Sequence, residues 1–132
     1  MKKTSMILCG MMLLASSAMA QVKVIAHRGH WNSQGAAQNS IAAMQNAKKA
    51  DVWGSEFDVH ITTDGTVVVN HDDDIHGIII ENAKYADIKN LKLANGEPIA
   101  TLKSYLEAGK KLAPMQLILE IKAHQTPERE DR

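Results

Sequence analysis

An α/β protein built on a parallel sheet is the fold this sequence predicts. Three observations carry that prediction. β-Branched or alternating runs recur at 22–26, 54–61 and 115–122, helical spacing fills most of the chain between them, and a single hairpin signal interrupts the series. Strands alternating with helices are the pattern of a parallel sheet with crossover helices. Composition agrees: 45% hydrophobic and 23% charged residues, with 8 Gly and 3 Pro in 132, are ordinary for a globular domain. Fifteen basic residues balance fifteen acidic ones. There is therefore no basic excess to drive binding to nucleic acid.

The first residues read as a processing segment. Lys2 and Lys3 precede an apolar run from Met6 to Leu14, and Ala18-Met19-Ala20 supplies a small-residue exit. That order is a secretory signal peptide over residues 1–20, cleaved after Ala20, and it predicts an exported protein, periplasmic or secreted. The apolar run is shorter than the roughly 20 residues that span a bilayer. A buried N-terminal helix would not need the charged start and small-residue exit. A lipid anchor on Cys9 would want a small residue where Leu8 stands. Cleavage removes the only Cys, leaving no disulfide or thiol chemistry, and removes two lysines, leaving a slightly acidic chain.

The elements follow in order. Val22-Lys23-Val24-Ile25-Ala26 reads as a short buried strand. A polar loop covers 30–38. Asn39 or Ser40 caps a helix from Ile41 to about Lys49, with Ile41, Met44 and Ala47 or Lys48 at helical spacing. Residues 54–61 alternate strictly between polar and apolar, the clearest strand signal in the chain. Asp64-Gly65 then reads as a two-residue hairpin loop leading into a strand at 67–70. That register sets Asp58 opposite His71. Ile78-Ile79-Ile80 is ambiguous, and 85–93 reads as a short helix or turn closed by Asn95-Gly96. Thr101 caps a helix over 102–111 with Leu102, Tyr105 and Leu106 on one side, and Pro114 stops it. A strand follows at 115–122, and the last ten residues are mostly polar. Three parallel strands cannot close an eight-stranded barrel, which takes about 250 residues. The residues thus predict either a small open α/β domain or one lacking its C-terminal part.

Chemistry collects at the strand ends. His27-Arg28-Gly29 follows the first strand, where α/β folds bind ligands. Glu56, Asp58 and His60 share one face of the second strand, with Phe57, Val59 and Ile61 on the other. Such a face is either solvated or a site. Glu120 and Lys122 interrupt the apolar third strand, predicting a buried carboxylate beside a cation, which is either a plain ion pair or part of a site. Glu56, Asp58 and Glu120 together form an all-oxygen set suited to a hard cation, Mg²⁺ or Ca²⁺. With His27, His71, Arg28 and Lys122 around them, they describe a site for hydrolysing a phosphate ester.

These motifs, in this order and spacing, resemble the glycerophosphodiester phosphodiesterase family. The likeness comprises Ala26-His27-Arg28-Gly29, Gln38-Asn39-Ser40-Ile41, Glu56-Phe57-Asp58-Val59, Thr63-Asp64-Gly65, Val69-Asn70-His71-Asp72 and Leu119-Glu120-Ile121-Lys122. It implies the N-terminal part of a TIM (β/α)8 barrel over 21–132, with a small insertion after the second strand at about 59–98. It implies His27 and His71 as a general acid–base pair, Glu56, Asp58 and Glu120 as ligands of a divalent cation, and Arg28 and Lys122 as phosphate contacts. The implied substrate is a small-molecule glycerophosphodiester, cleaved to glycerol 3-phosphate and an alcohol. Two departures accompany the likeness. Gln38 stands where the family usually has Glu, keeping hydrogen bonding and losing charge, and the chain stops after its third core strand. Two other readings are a binding module that keeps the metal and phosphate site without turnover, and a sphingomyelinase-type lipid phosphodiesterase.

Overall fold

A computed structural model describes residues 21–131; the signal peptide expected at 1–20 lies outside them. The elements run β1 (Ile25–Ala26), α1 (Ile41–Lys49), β2 (Gly54–Ile61), β3 (Val67–Val69), β4 (Asp74–Ile75), β5 (Ile78–Ile79), α2 (Tyr85–Ile88), β6 (Ala100–Thr101), α3 (Leu102–Lys110) and β7 (Gln116–Ile121). No helix among them is long and apolar enough to cross a membrane.

β2 is the axis of the sheet. β1 pairs with its first residues in parallel, Ile25 opposite Gly54, while β7 runs parallel along its other edge from Gly54 to Val59. β3 pairs antiparallel with the last residues of β2, on the same edge as β1. The edge between β1 and β3 is left for the loop that follows β1. Helices α1 and α3 start where the sequence predicts, because Ser40 Oγ accepts the Ala43 N–H and Thr101 Oγ1 accepts the Ser104 N–H. They cover one face of the sheet, where Met44, Ala47, Phe57, Val59 and Tyr105 form the main core. Phe57 and Tyr105 stack at 4.7 Å. The excursion between β2 and α3 builds its own smaller core around Val68, Ile75, Ile80, Ile88 and Ile99.

Five expectations need correction. The strand at 22–26 is shorter and is not buried: β1 holds two residues, and Val22, Val24 and Ile25 are exposed because only one edge of β1 is paired among the described residues. The hairpin loop is one residue longer than two. The Thr62 N–H donates to the Thr66 carbonyl, and Thr62 Oγ1 accepts the Thr66 N–H, so Thr63, Asp64 and Gly65 form the loop, with Gly65 at φ 81°. The register slips by one: Val59 faces Val69, and Asp58 lies opposite Asn70, not His71. The predicted β7 core strand is only partly covered, with Leu119 and Ile121 exposed, and Glu120 is half exposed where burial was expected. On α3, Tyr105 and Gly109 turn inward and Leu106 does not. The polar residues after β7 fold back onto the end of β2: His124 Nε2 accepts the Ile61 N–H, and the Gln125 N–H and the Arg129 guanidinium reach Glu81.

Candidate active site

The face of β2 away from the helices carries Glu56, Asp58 and His60, as the alternation predicts, and all three are buried. Solvation therefore does not explain the pattern. In β7, Glu120 pairs in register with Asp58. Glu56, Asp58 and Glu120 each offer one oxygen within 4.8 Å of the others, a cluster that could hold a metal ion.

The loop after β1 reaches this cluster because its backbone folds back sharply. Arg28 has φ 58° and Gly29 φ 77°. A Cβ on Gly29 would lie 2.7 Å from the Ala43 Cβ, so only glycine lets the loop lie against α1. The turn aims the Arg28 N–H at Glu56 Oε2, 2.8 Å away. It sends the guanidinium across the site, with Nε 3.9 Å from Asp58 Oδ2, Nη1 donating to Gln38 Oε1 at 2.7 Å, and Nη2 2.7 Å from His71 Nε2. The arrangement fixes the tautomer of His71. Arginine only donates, so Nε2 is the unprotonated nitrogen, and Nδ1 donates to Asp72 Oδ1 at 2.7 Å. His71 thus joins the carboxylates through Arg28, not through the strand register. His27 stands at the open rim, two-thirds exposed, with Nε2 4.0 Å from Glu56 Oε2. Lys122 bridges the last two carboxylates, 2.9 Å from Glu120 Oε1 and 3.6 Å from Asp58 Oδ1.

The electrostatics separate the carboxylates. Burial pushes the Glu56 carboxyl above its ordinary range and the Asp58 charge adds to that push, while the Arg28 N–H pulls the other way. Glu120 lies below its ordinary range because it accepts a hydrogen bond from Lys122, which raises Lys122 in turn. Glu56 Oε1 is buried without a hydrogen-bond partner, and Asp58 Oδ1 is met only by the Lys122 ammonium at 3.6 Å. Orphaned buried carboxylate oxygens are costly unless a cation meets them, and the donor set of oxygens alone suits a hard divalent ion.

All seven residues singled out from the sequence for metal, phosphate or proton transfer lie in this one region. The sequence reading missed Asn39 beyond a possible cap. Its amide donates to Asp58 Oδ2 at 2.9 Å and accepts the Asp58 N–H at 3.1 Å, closing the strand edge left open between β1 and β3. Asn39 sits at φ 60°, a region Asn tolerates better than most residues. His60 was also missed: burial lowers its pKa, and its Nε2–H donates to the His71 carbonyl at 3.2 Å.

Comparison with known proteins places this arrangement. Residues 27–132 match the "Glycerophosphoryl diester phosphodiesterase family". A crystal structure of a glycerophosphodiester phosphodiesterase from Parabacteroides distasonis is 51% identical, with a TM-score of 0.79, covering 81% of this chain and 45% of that one. A phosphodiesterase from Oleispira antarctica, solved with the product sn-glycerol-3-phosphate, is 30% identical with a TM-score of 0.70, over 83% of this chain and 48% of that one. A glycerophosphodiester phosphodiesterase from Caldanaerobacter subterraneus subsp. tengcongensis is 44% identical over 52 residues, 39% of this chain and 21% of the relative. The chain spans about half the length of the solved structures it matches and less of the curated relatives. The fold is a partial sheet of the TIM (β/α)8 type, as the resemblance implies.

Proposed function

The chain belongs to the glycerophosphoryl diester phosphodiesterase family, and on that footing we propose that its site hydrolyses a glycerophosphodiester to glycerol 3-phosphate and an alcohol. One observation carries the reading above others. A single guanidinium, Arg28, touches the carboxylate cluster at one end and the free nitrogen of His71 at the other.

Glu56, Asp58 and Glu120 would hold Mg²⁺ or Ca²⁺, which when bound polarises a phosphoryl oxygen and neutralises developing charge. Arg28 and Lys122 supply fixed positive charge for the phosphate, Arg28 in a planar fork suited to two oxygens. Asp72 holds the His71 proton on Nδ1, so Nε2 is the basic atom. Arg28 occupies that atom here; a phosphate that draws the Arg28 donor away leaves Nε2 free to take a proton. His27, at the rim beside Glu56, supplies the complementary role of donating a proton to the leaving alkoxide. Each such role contributes about 10²–10⁴ in rate. The pair produces a bell-shaped pH profile whose pKa values belong to both groups together. His27→Ala and His71→Ala should each lower turnover of glycerophosphocholine by about 10²–10⁴, and near-full turnover in both variants would overturn the assignment.

The excursion from the end of β2 to about Pro98 serves as an insertion that walls one side of this site. The signal segment at 1–20 directs export into the periplasm or medium, where phosphodiesters from deacylated phospholipids would be met. N-terminal sequencing of exported protein should begin at Gln21; a start at Met1 would overturn export with cleavage.

A further inference from the structure

His60 is buried on the carboxylate-bearing face of β2, 3% exposed, and the reaction described above gives it no part. It follows Asp58 by two residues, so its ring stands one step farther along the same face. Its Nε2 lies 3.2 Å from the His71 carbonyl oxygen. A carbonyl only accepts, so this nitrogen carries the proton. Among the described residues no other hydrogen bond reaches that carbonyl.

The oxygen that His60 holds belongs to the peptide unit joining His71 to Asp72. That unit is planar, so ψ of His71 and φ of Asp72 are the only soft backbone rotations between the two residues. On an extended chain, neighbouring side chains project to opposite sides. The 2.7 Å bond between His71 Nδ1 and Asp72 Oδ1 therefore needs this peptide turned to one orientation, and its carbonyl direction is what His60 fixes. Asn70 gathers the rest of the loop, its Nδ2 donating to the Asp72 and Asp74 carbonyls at 2.8 and 3.1 Å. The His60 ring is itself backed by His124. Their centroids lie 5.3 Å apart with the planes at 68°, and His124 Nε2 is anchored by the Ile61 N–H at 3.1 Å.

The consequence falls on the His71 proton. A neutral imidazole without partners favours the Nε2–H form, and in a protein the bond made by one nitrogen decides where the proton sits. Asp72 keeps it on Nδ1, which leaves the Nε2 lone pair as the base. Arg28 supports the same form only until a phosphate draws its donor away; from then on Asp72 alone sets it. The Asp72 side chain is 74% exposed, so without a fixed peptide it swings into water. A proton on Nε2 then removes the base. Resting on the phosphodiesterase reading, we propose that His60 is a positioning residue for His71. Through the His71–Asp72 peptide it keeps the base in its Nδ1–H form, with Nε2 open toward the substrate.

The test compares His60→Leu and His60→Gln with wild type. Imidazole ¹⁵N spectra of histidine-labelled protein, taken where the rings are neutral and with or without glycerol 3-phosphate, report the His71 tautomer. Wild type should show the Nδ1–H form in both conditions. In His60→Leu the Nε2–H form should appear, most of all with glycerol 3-phosphate. The Gln amide N–H lies close to where the imidazole Nε2–H does, so His60→Gln should restore the wild-type tautomer. Turnover of glycerophosphocholine should follow, kcat falling about tenfold in His60→Leu with KM little changed. An unchanged tautomer in folded His60→Leu, or a change that His60→Gln repeats in full, would overturn the proposal. Should His60→Leu fail to fold, His60→Asn replaces it, being polar but too short to reach the carbonyl; a tautomer equal to that of His60→Gln would then overturn it. A wild-type protein without turnover would overturn the phosphodiesterase reading, and the tautomers would still decide the role of His60.

Discussion

Strands β2 and β7 lie side by side through six paired residues, yet they live in different surroundings. Every residue of β2 is buried, whereas Leu119 and Ile121 of β7 are 41% and 56% exposed. β2 alternates polar and apolar side chains, and β7 is the more apolar of the two, with Leu117, Ile118 and Leu119 in succession. The difference is in their neighbours: β2 has strands on both edges and two helices on its apolar face, while the outer edge of β7 is unpaired among the described residues. The same contrast divides the carboxylates. Asp58 is locked by two hydrogen bonds to Asn39, but Glu120, half exposed, is held only by Lys122. One half of the candidate metal cluster is therefore built in advance, and the other is left free to adapt.

That contrast is broken most strongly at the core. Phe57→Ala should cost about 3–5 kcal/mol of stability, because Phe57 is fully buried against Tyr105. Ile121→Ala, in the neighbouring strand and on the same face, should cost no more than about 0.5 kcal/mol. Denaturant melts of the two variants measure the difference, and equal losses would mean that β7 is covered as β2 is.

Asn39 sharpens the comparison at the next level. Asn39→Ala leaves the Asp58 N–H and carboxylate without their partner and places Ala at positive φ, for an expected loss of about 2–3 kcal/mol. Asn39→Gly keeps the backbone conformation and loses only the hydrogen bonds, so it should fall between wild type and Asn39→Ala. If Asn39→Gly matched wild type in a denaturant melt, the side chain would have no part in holding Asp58.

What could be read from the sequence follows the same line. The period of two in β2 placed Glu56, Asp58 and His60 on one face, and the Ser40 and Thr101 caps marked both main helices, because these signals are local. Burial of β1 and β7 could not be read, since it depends on which strands and helices lie alongside. The hairpin register slipped by one because Thr62 bonds to Thr66 and enlarges the loop, which Asp64-Gly65 alone does not announce. The hold of Asn39 on Asp58 could not be read, because it needs a left-handed backbone beside a gap in a distant strand edge. His71 reached the site in spite of the wrong register, through Arg28.

The central claim is that Glu56, Asp58 and Glu120 bind a divalent cation that hydrolysis requires. Thermal melts with and without Mg²⁺ or Ca²⁺, over a range of pH and paired with turnover of glycerophosphocholine, test it most directly. Glu56 titrates above its ordinary 4.5 because it is buried. Below 4.5 its carboxyl is neutral whether folded or not and costs nothing. As pH rises through its folded pKa, a buried charge is forced on the folded state and stability is lost unless a cation meets it. The metal-induced rise in Tm should therefore be small in acid and grow toward neutral pH, fall away in Glu56→Gln, and accompany turnover that stops in excess chelator. Full turnover in excess chelator, with a Tm that metal does not move at any pH, would contradict it.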